Sequence, residues 1–197
     1  MKYFRLLRLE DQYIQAGFAI AAGVYLHSRD TRILLWAIAC TFISFAAFML
    51  NQLNDQHDVD RYSWNPIHLR PNERFNNVIV LGMLTVFSFL GLWMSEKIGL
   101  LWWAVAMLVL GIAYSQEPVR LKKRFGLDIV AQLGTWFVLP IVAPLVGRVP
   151  LEQIGWLALG ISGLSWCIFY PYQLADIDAD KKVGFGSTHV VIGMKRS

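Results

Sequence analysis

The chain has 197 residues, of which 56% are hydrophobic and 16% charged, with a formal net charge of +4 and a mean hydropathy of +0.45. An average soluble domain carries about 25% charged residues and less apolar bulk, so a disordered or fibrous chain is excluded and an integral membrane protein is expected. The basic surplus sits between apolar blocks, where it reads as a topology signal, and no nucleic-acid partner is expected.

In chain order the apolar blocks cover 13–26, 33–50, 78–94, 98–114, 127–146 and 154–170. Most are near the length that crosses a hydrocarbon core about 30 Å thick, and backbone in lipid must satisfy its own hydrogen bonds. The expected fold class is therefore all-α, a polytopic transmembrane helical bundle of about six spans, with 1–197 as a single membrane domain. The first block is short and holds Gln15, but it starts after Glu10 and Asp11 and has no small-residue cleavage site, so it reads as a retained span. Fourteen of the 18 Lys and Arg residues fall before the first block or after the second, fourth and sixth; only Arg29, Arg32, Lys97 and Arg148 fall on the other side. By the positive-inside rule, both termini and the two long polar loops face the cytoplasm of a multi-pass protein, expected in the cell membrane. Cys40 and Cys167 lie inside apolar blocks without His or Cys at metal spacing, which supports neither a zinc site nor a disulfide framework.

Two acidic clusters close the second and sixth blocks. The first runs Asn51-Gln-Leu-Asn54-Asp55-Gln-His-Asp58-Val-Asp60-Arg61, and the second runs Tyr172-Gln-Leu-Ala-Asp176-Ile-Asp178-Ala-Asp180-Lys181. On a helix Asn54 and Asp58 share a face, as do Asp55 and Asp58 and again Asp176 and Asp180, so like charges are held together. Carboxylates crowded at the end of an apolar span ask for a cation. Magnesium suits them, being a hard ion usually held by one or two carboxylates together with substrate phosphates. A solvated helix end balanced by nearby Lys and Arg is the alternative for either cluster alone. Between the clusters, Tyr114-Ser115-Gln-Glu-Pro118-Val-Arg120-Leu-Lys122-Lys123-Arg124 supplies cations that can hold phosphate oxygens, with Arg120 and Lys122 the better candidates and Arg70 a further one.

Together these stretches resemble the UbiA superfamily of intramembrane prenyltransferases, most closely its chlorophyll-synthase-like and archaeal lipid or carotenoid branch. The first family signature is read at Asn54-Asp55-x-x-Asp58, followed by Asn65-Pro66 and Arg70-Pro71; the second at Tyr172, Asp176 and Asp180, followed by Gly184-Phe-Gly186-Ser-Thr188; the middle stretch at Tyr114 to Lys122. In the first signature a third acid belongs at position 62, which is Tyr62, and Asp60 sits two residues early. The family fold has nine helices, and by that measure the chain is expected to lack the last three.

The resemblance implies a magnesium-dependent transferase that moves an isoprenyl group from an allylic diphosphate to a lipophilic acceptor among membrane lipids. Asp55, Asp58, Asp176 and Asp180 are the implied catalytic acids; with Asn54 and Asp60 they are the implied Mg2+ ligands. Asn54, Arg70, Tyr114, Arg120, Lys122 and Tyr172 are the implied substrate-binding residues. Faces of Trp166, Tyr170 or Tyr172 would steady an allylic cation. The other reading is a truncated or degenerate non-catalytic relative, acting as a membrane scaffold or completed by a homo-oligomer or partner chain. A soluble diphosphate synthase is excluded by the spans, an alcohol phosphotransferase by the lack of its Asp-Gly and Ala-Arg elements, and a cation channel by acids at helix ends rather than mid-span.

Overall fold

The structure is a computed structural model that describes residues 9–26, 30–55 and 76–194. Its helices are α1 (Leu9–Tyr25), α2 (Arg32–Asp55), α3 (Asn77–Lys97), α4 (Leu101–Ser115), α5 (Leu127–Leu133), α6 (Leu139–Val142), α7 (Leu151–Val183) and α8 (Thr188–Met194), with a 3-10 turn at Leu121–Lys123. Among the described residues there is no β-strand, only one isolated parallel bridge between Arg124 and Gly186.

Helix α2 is the hub and packs on α1, α3 and α4. Its most apolar stretch is 67% buried, against 22% for α3, which places α2 inside the bundle and α3 at its outer face. At 24 residues α2 is about 36 Å long by the helical rise, enough to carry a polar group at each surface of a bilayer. Small residues let its neighbours approach: a Cβ at Gly111 of α4 would stand 2.9 Å from the Ala47 Cβ of α2. Close backbone contact at small residues is what holds helices together where lipid removes the hydrophobic drive. The core formed here joins Trp36, Ala39, Cys40 and Ile43 of α2 to Ala104 and Met107 of α4.

Each apolar block of the sequence lies mainly on helical backbone, but four differ from a simple span. Among the described residues only α2 and α3 are long and apolar enough to cross a membrane; Ala16–Tyr25, Leu101–Ser115 and Leu127–Val142 are shorter apolar stretches. The fifth block is interrupted by a π turn at Gly134–Val138, closed by a hydrogen bond from Leu139 N to Gly134 O. Pro140, which has no N–H to give, explains the widened turn. Pro144 likewise cannot donate to the Pro140 carbonyl, and the Trp36 indole does so instead at 2.8 Å, tying α2 to α6. The sixth block does not stop at 170: α7 runs on unbroken for 33 residues and carries the second acidic cluster on its last turns. It ends at Gly184, whose φ of 78° is a left-handed cap that favours glycine.

Large apolar side chains face outward on several helices, among them Val78 and Phe89 on α3, Trp102 on α4, and Leu151, Trp156 and Leu159 on α7. Such broad apolar exposure is what a lipid-facing surface requires.

Candidate active site

Asp55 closes α2 and is only 8% exposed. Its Oδ1 accepts from Arg120 Nη2 at 3.2 Å and from Lys122 Nζ, while its Oδ2 accepts from Asn51 Nδ2 at 2.8 Å. Arg120 is 6% exposed and Lys122 8%, so one carboxylate and two cations are buried together. Asn51, one helical turn before Asp55, also accepts from Ser115 Oγ at 3.0 Å and Lys122 Nζ at 3.3 Å through its Oδ1. The ends of α2 and α4 and the basic loop thereby become one network.

The loop gets its shape from local chemistry. Arg120 sits at φ 32°, ψ 66°, a left-handed conformation uncommon for a residue with a Cβ, and this turns its side chain and that of Lys122 onto the same acid. Outside, Glu117 accepts from Lys123 Nζ at 2.6 Å and from Arg120 Nη1 at 3.4 Å, and these cations hold its carboxyl below the usual range.

The second acidic cluster closes over this network. Phe185, just past α7, presents its ring to the Arg120 guanidinium at 5.1 Å and to the ammonium groups of Lys123 and Lys122 at 4.9 and 5.8 Å, a cation–π arrangement. Gly186 N donates to Lys123 O at 3.1 Å, and Thr188 N donates to Asp128 Oδ2 at 2.8 Å. The Thr188 hydroxyl also donates to Asp128 and accepts from Gly126 N at 2.7 Å. Asp180 accepts from Ser187 Oγ at 2.8 Å. Burial pushes the Asp180 carboxyl above the usual range; Ser187 and Lys122 pull it down, and Asp55 and Asp128 push it up. Asp176 is half-buried one turn earlier on α7. Tyr114, at the end of α4, lies in the combined field of Asp55, Asp128, Asp180 and Asp176.

Of the residues picked from sequence, Asp55, Arg120 and Lys122 meet in direct contact, with Asp180, Asp176 and Tyr114 around them. Asn54 turns its amide nitrogen to Leu50 O at 3.0 Å and Gln116 Oε1 at 3.3 Å. Asp58, Asp60, Arg70 and the Tyr172 side chain lie outside the described residues. Sequence reasoning quoted Asn51, Phe185, Ser187 and Thr188 within its motifs without giving them a site role, and left out Asp128. Asn51 stands four residues before Asp55 and was open to discovery by helical spacing; Asp128 carries no local signal.

Among the described residues no three of His, Cys, Asp and Glu are grouped closely enough to hold a metal. The donors nonetheless fit a hard cation. All are carboxylate or amide oxygens, and Asp180 is a half-buried carboxyl whose ionised form is disfavoured by desolvation and by the nearby Asp55 and Asp128.

Acids from two motifs and cations from a third thus converge at one end of an apolar bundle, and the sequence profile of the UbiA prenyltransferase family matches residues 14–197. The chain belongs to the UbiA prenyltransferase family. Its fold is that of a UbiA homolog from Archaeoglobus fulgidus bound to DMAPP and Mg2+, with TM-score 0.80 and 21% identity over 100% of this chain and 71% of that one. A structure of a UbiA homolog from the same organism bound to GPP and Mg2+ gives TM-score 0.81 and 23% identity, and one bound to Cd2+ gives 0.76 and 20%, with the same coverage. These likenesses are of fold. No curated protein matches the chain.

Proposed function

We propose that this UbiA-family chain binds an allylic isoprenyl diphosphate with Mg2+ and transfers its prenyl group to a lipophilic acceptor in the membrane. The observation that carries this reading is the buried network of Asp55, Arg120 and Lys122 beneath Asp180. Its charges are those needed to grip a metal diphosphate, a carboxylate held between two cations. The homologs solved with DMAPP or GPP and Mg2+ support the same substrate class.

Asp55, Asp58, Asp176 and Asp180, with Asn54 and Asp60, would hold the metal, which when bound neutralises the diphosphate as a leaving group. Arg120, Lys122 and Arg70 take phosphate oxygens, the arginines as forks and the lysine as a point charge. Tyr114 and Tyr172 line the donor. As diphosphate enters, Arg120 and Lys122 exchange the Asp55 carboxylate for phosphate, which releases Asp55 as a ligand. The Phe185 ring keeps both cations in place during the exchange. The outward apolar faces leave the acceptor and the prenyl tail in lipid. The chain is one membrane domain of six spans, with both termini and the site at the cytoplasmic surface.

The test is Mg2+-dependent binding of labelled geranyl diphosphate to the protein in nanodiscs. Binding is expected for wild type and lost in both Asp58→Ala and Asp176→Asn. A folded wild type that binds nothing overturns the reading in favour of a non-catalytic relative.

A further inference from the structure

His189 sits in the first turn of α8, with its ring stacked at 5.6 Å on Trp166 and tilted at 5.8 Å against Tyr170. It is 5% exposed, and its Nε2 is buried with no hydrogen-bond partner. Trp166, Tyr170 and Gln173 follow one another at i, i+4 and i+7 on α7, so they form one stripe. Gln173 spends its Nε2 on Gln132 Oε1, and its own Oε1 is buried and likewise unpartnered. Among the described residues the buried hydroxyls without partners, Ser44, Ser88, Thr135 and Ser165, are donors as well as acceptors and can swing toward a backbone carbonyl. An amide oxygen cannot, and neither can a ring nitrogen that carries no proton. Each forfeits its hydration with nothing in return, and the ring nitrogen asks for a ligand that brings an O–H.

We propose that His189 holds the hydroxyl of the prenyl acceptor, with its unprotonated Nε2 as the group that takes the proton. This rests on the prenyl-transfer reading above and narrows the acceptor to a lipophilic molecule with a hydroxyl at its head. In the step, the C1–O bond of the allylic diphosphate breaks and its electron pair leaves on the diphosphate. The acceptor oxygen bonds to C1, and its proton passes to His189. The environment suits both ends of that transfer. Burial holds the imidazole below its usual range and so unprotonated at rest, while the nearby Asp128 carboxylate favours the imidazolium once it forms. Among the described residues, Tyr170 is a titratable side chain against the ring. Asp128 also fixes the start of α8 through Thr188, which sets the position of the ring.

The experiment compares two probes, 4-nonylphenol and its methyl ether 4-nonylanisole, binding to the full chain in nanodiscs. Wild type is expected to hold the phenol about tenfold tighter, because a site built to bond a hydroxyl rejects the analogue that lacks it. His189→Phe keeps a ring against Trp166 and Tyr170 without the nitrogen, and is expected to bind both probes equally. A second measurement does not depend on that variant folding. With His27, His57 and His68 replaced by Gln, His189 is the one imidazole in the chain, and its 15N signal should move with the phenol and not with the ether. Equal binding of the probes by wild type, a phenol preference that survives in His189→Phe, or an unmoved 15N signal overturns the proposal. Geranyl diphosphate binding is measured in parallel. If it fails while the phenol is still held by His189, prenyl transfer falls and the hydroxyl site stands; if it succeeds while the phenol is ignored, only the present inference falls.

Discussion

Asp55 joins partners that lie 65 and 67 residues away in the chain, Arg120 and Lys122, and all three are buried. A buried carboxylate between two cations is costly to break from one side, since the survivors keep their charge without a counter-ion. Asp55→Asn is therefore expected to lower stability by about 3 kcal/mol. In a Lys122→Met background the same change should cost clearly less, and thermal unfolding of the four proteins in detergent measures that coupling. Asp180 gives a pH signature. Its folded carboxyl titrates above its ordinary value of 3.8, mainly through burial, so on acidification the folded protein takes up this proton before the unfolded chain does. The contribution to stability is thus full below the unfolded value and lost as pH rises through the folded one. Metal loading has the opposite sense, because it needs the carboxylate. Binding of Mg2+ with geranyl diphosphate should weaken at a pH above 3.8 in wild type, and Asp180→Asn should remove that part of the acid response. The importance of these acids was legible from their spacing; their present partners were not, since nothing local to Asp55 names Lys122.

The elements carry strain and repair it. The loop after α4 bends at Arg120 with φ 32°, a conformation that costs a residue with a Cβ roughly 1–2 kcal/mol. Arg120→Gly and Arg120→Ala both remove the guanidinium, so both should lose diphosphate affinity alike. The glycine variant should nevertheless be more stable than the alanine variant by about 1 kcal/mol in chemical unfolding, because only alanine keeps the backbone penalty. In the fifth block the two prolines were plain in the sequence, and they explain the π turn at Gly134–Val138 and the Trp36 bond to Pro140 O. Which donor would reach that carbonyl depended on α2 packing alongside. The extension of α7 through Asp180 was legible in the four-residue spacing of Asp176 and Asp180 but not in the block itself: apolar blocks mark where lipid-compatible residues stop, not where the helix does.

At the scale of the whole molecule, the helices place the acidic network at the C-terminal end of α2 and the Asp30–Arg32 pair, with contacts of 2.6 Å, at its N-terminal end. If the six spans alternate as proposed, Lys182 and Arg148, both exposed, lie on opposite sides of the membrane. With Cys40 and Cys167 replaced by Ser, an impermeant maleimide added to intact cells should label Arg148→Cys and spare Lys182→Cys until the membrane is opened. Equal labelling of both would break the alternation.

Apolar block length, the bias of Lys and Arg between loops, and the spacing of two acidic clusters are local properties, and from them alone come the helical class, the expected orientation and the likeness to the UbiA superfamily. Tertiary structure decided the rest. It set Arg120 and Lys122 against Asp55 rather than apart from it, laid Phe185 beneath three cations, clamped Thr188 to Asp128, and left His189 Nε2 buried without a partner. Each depends on which distant segments share a small buried volume. Within that volume desolvation drives each buried charge to a counter-charge, as Asp55 to Arg120 and Lys122, or to hydrogen bonds, as Asp128 to Thr188, whatever the distance along the chain.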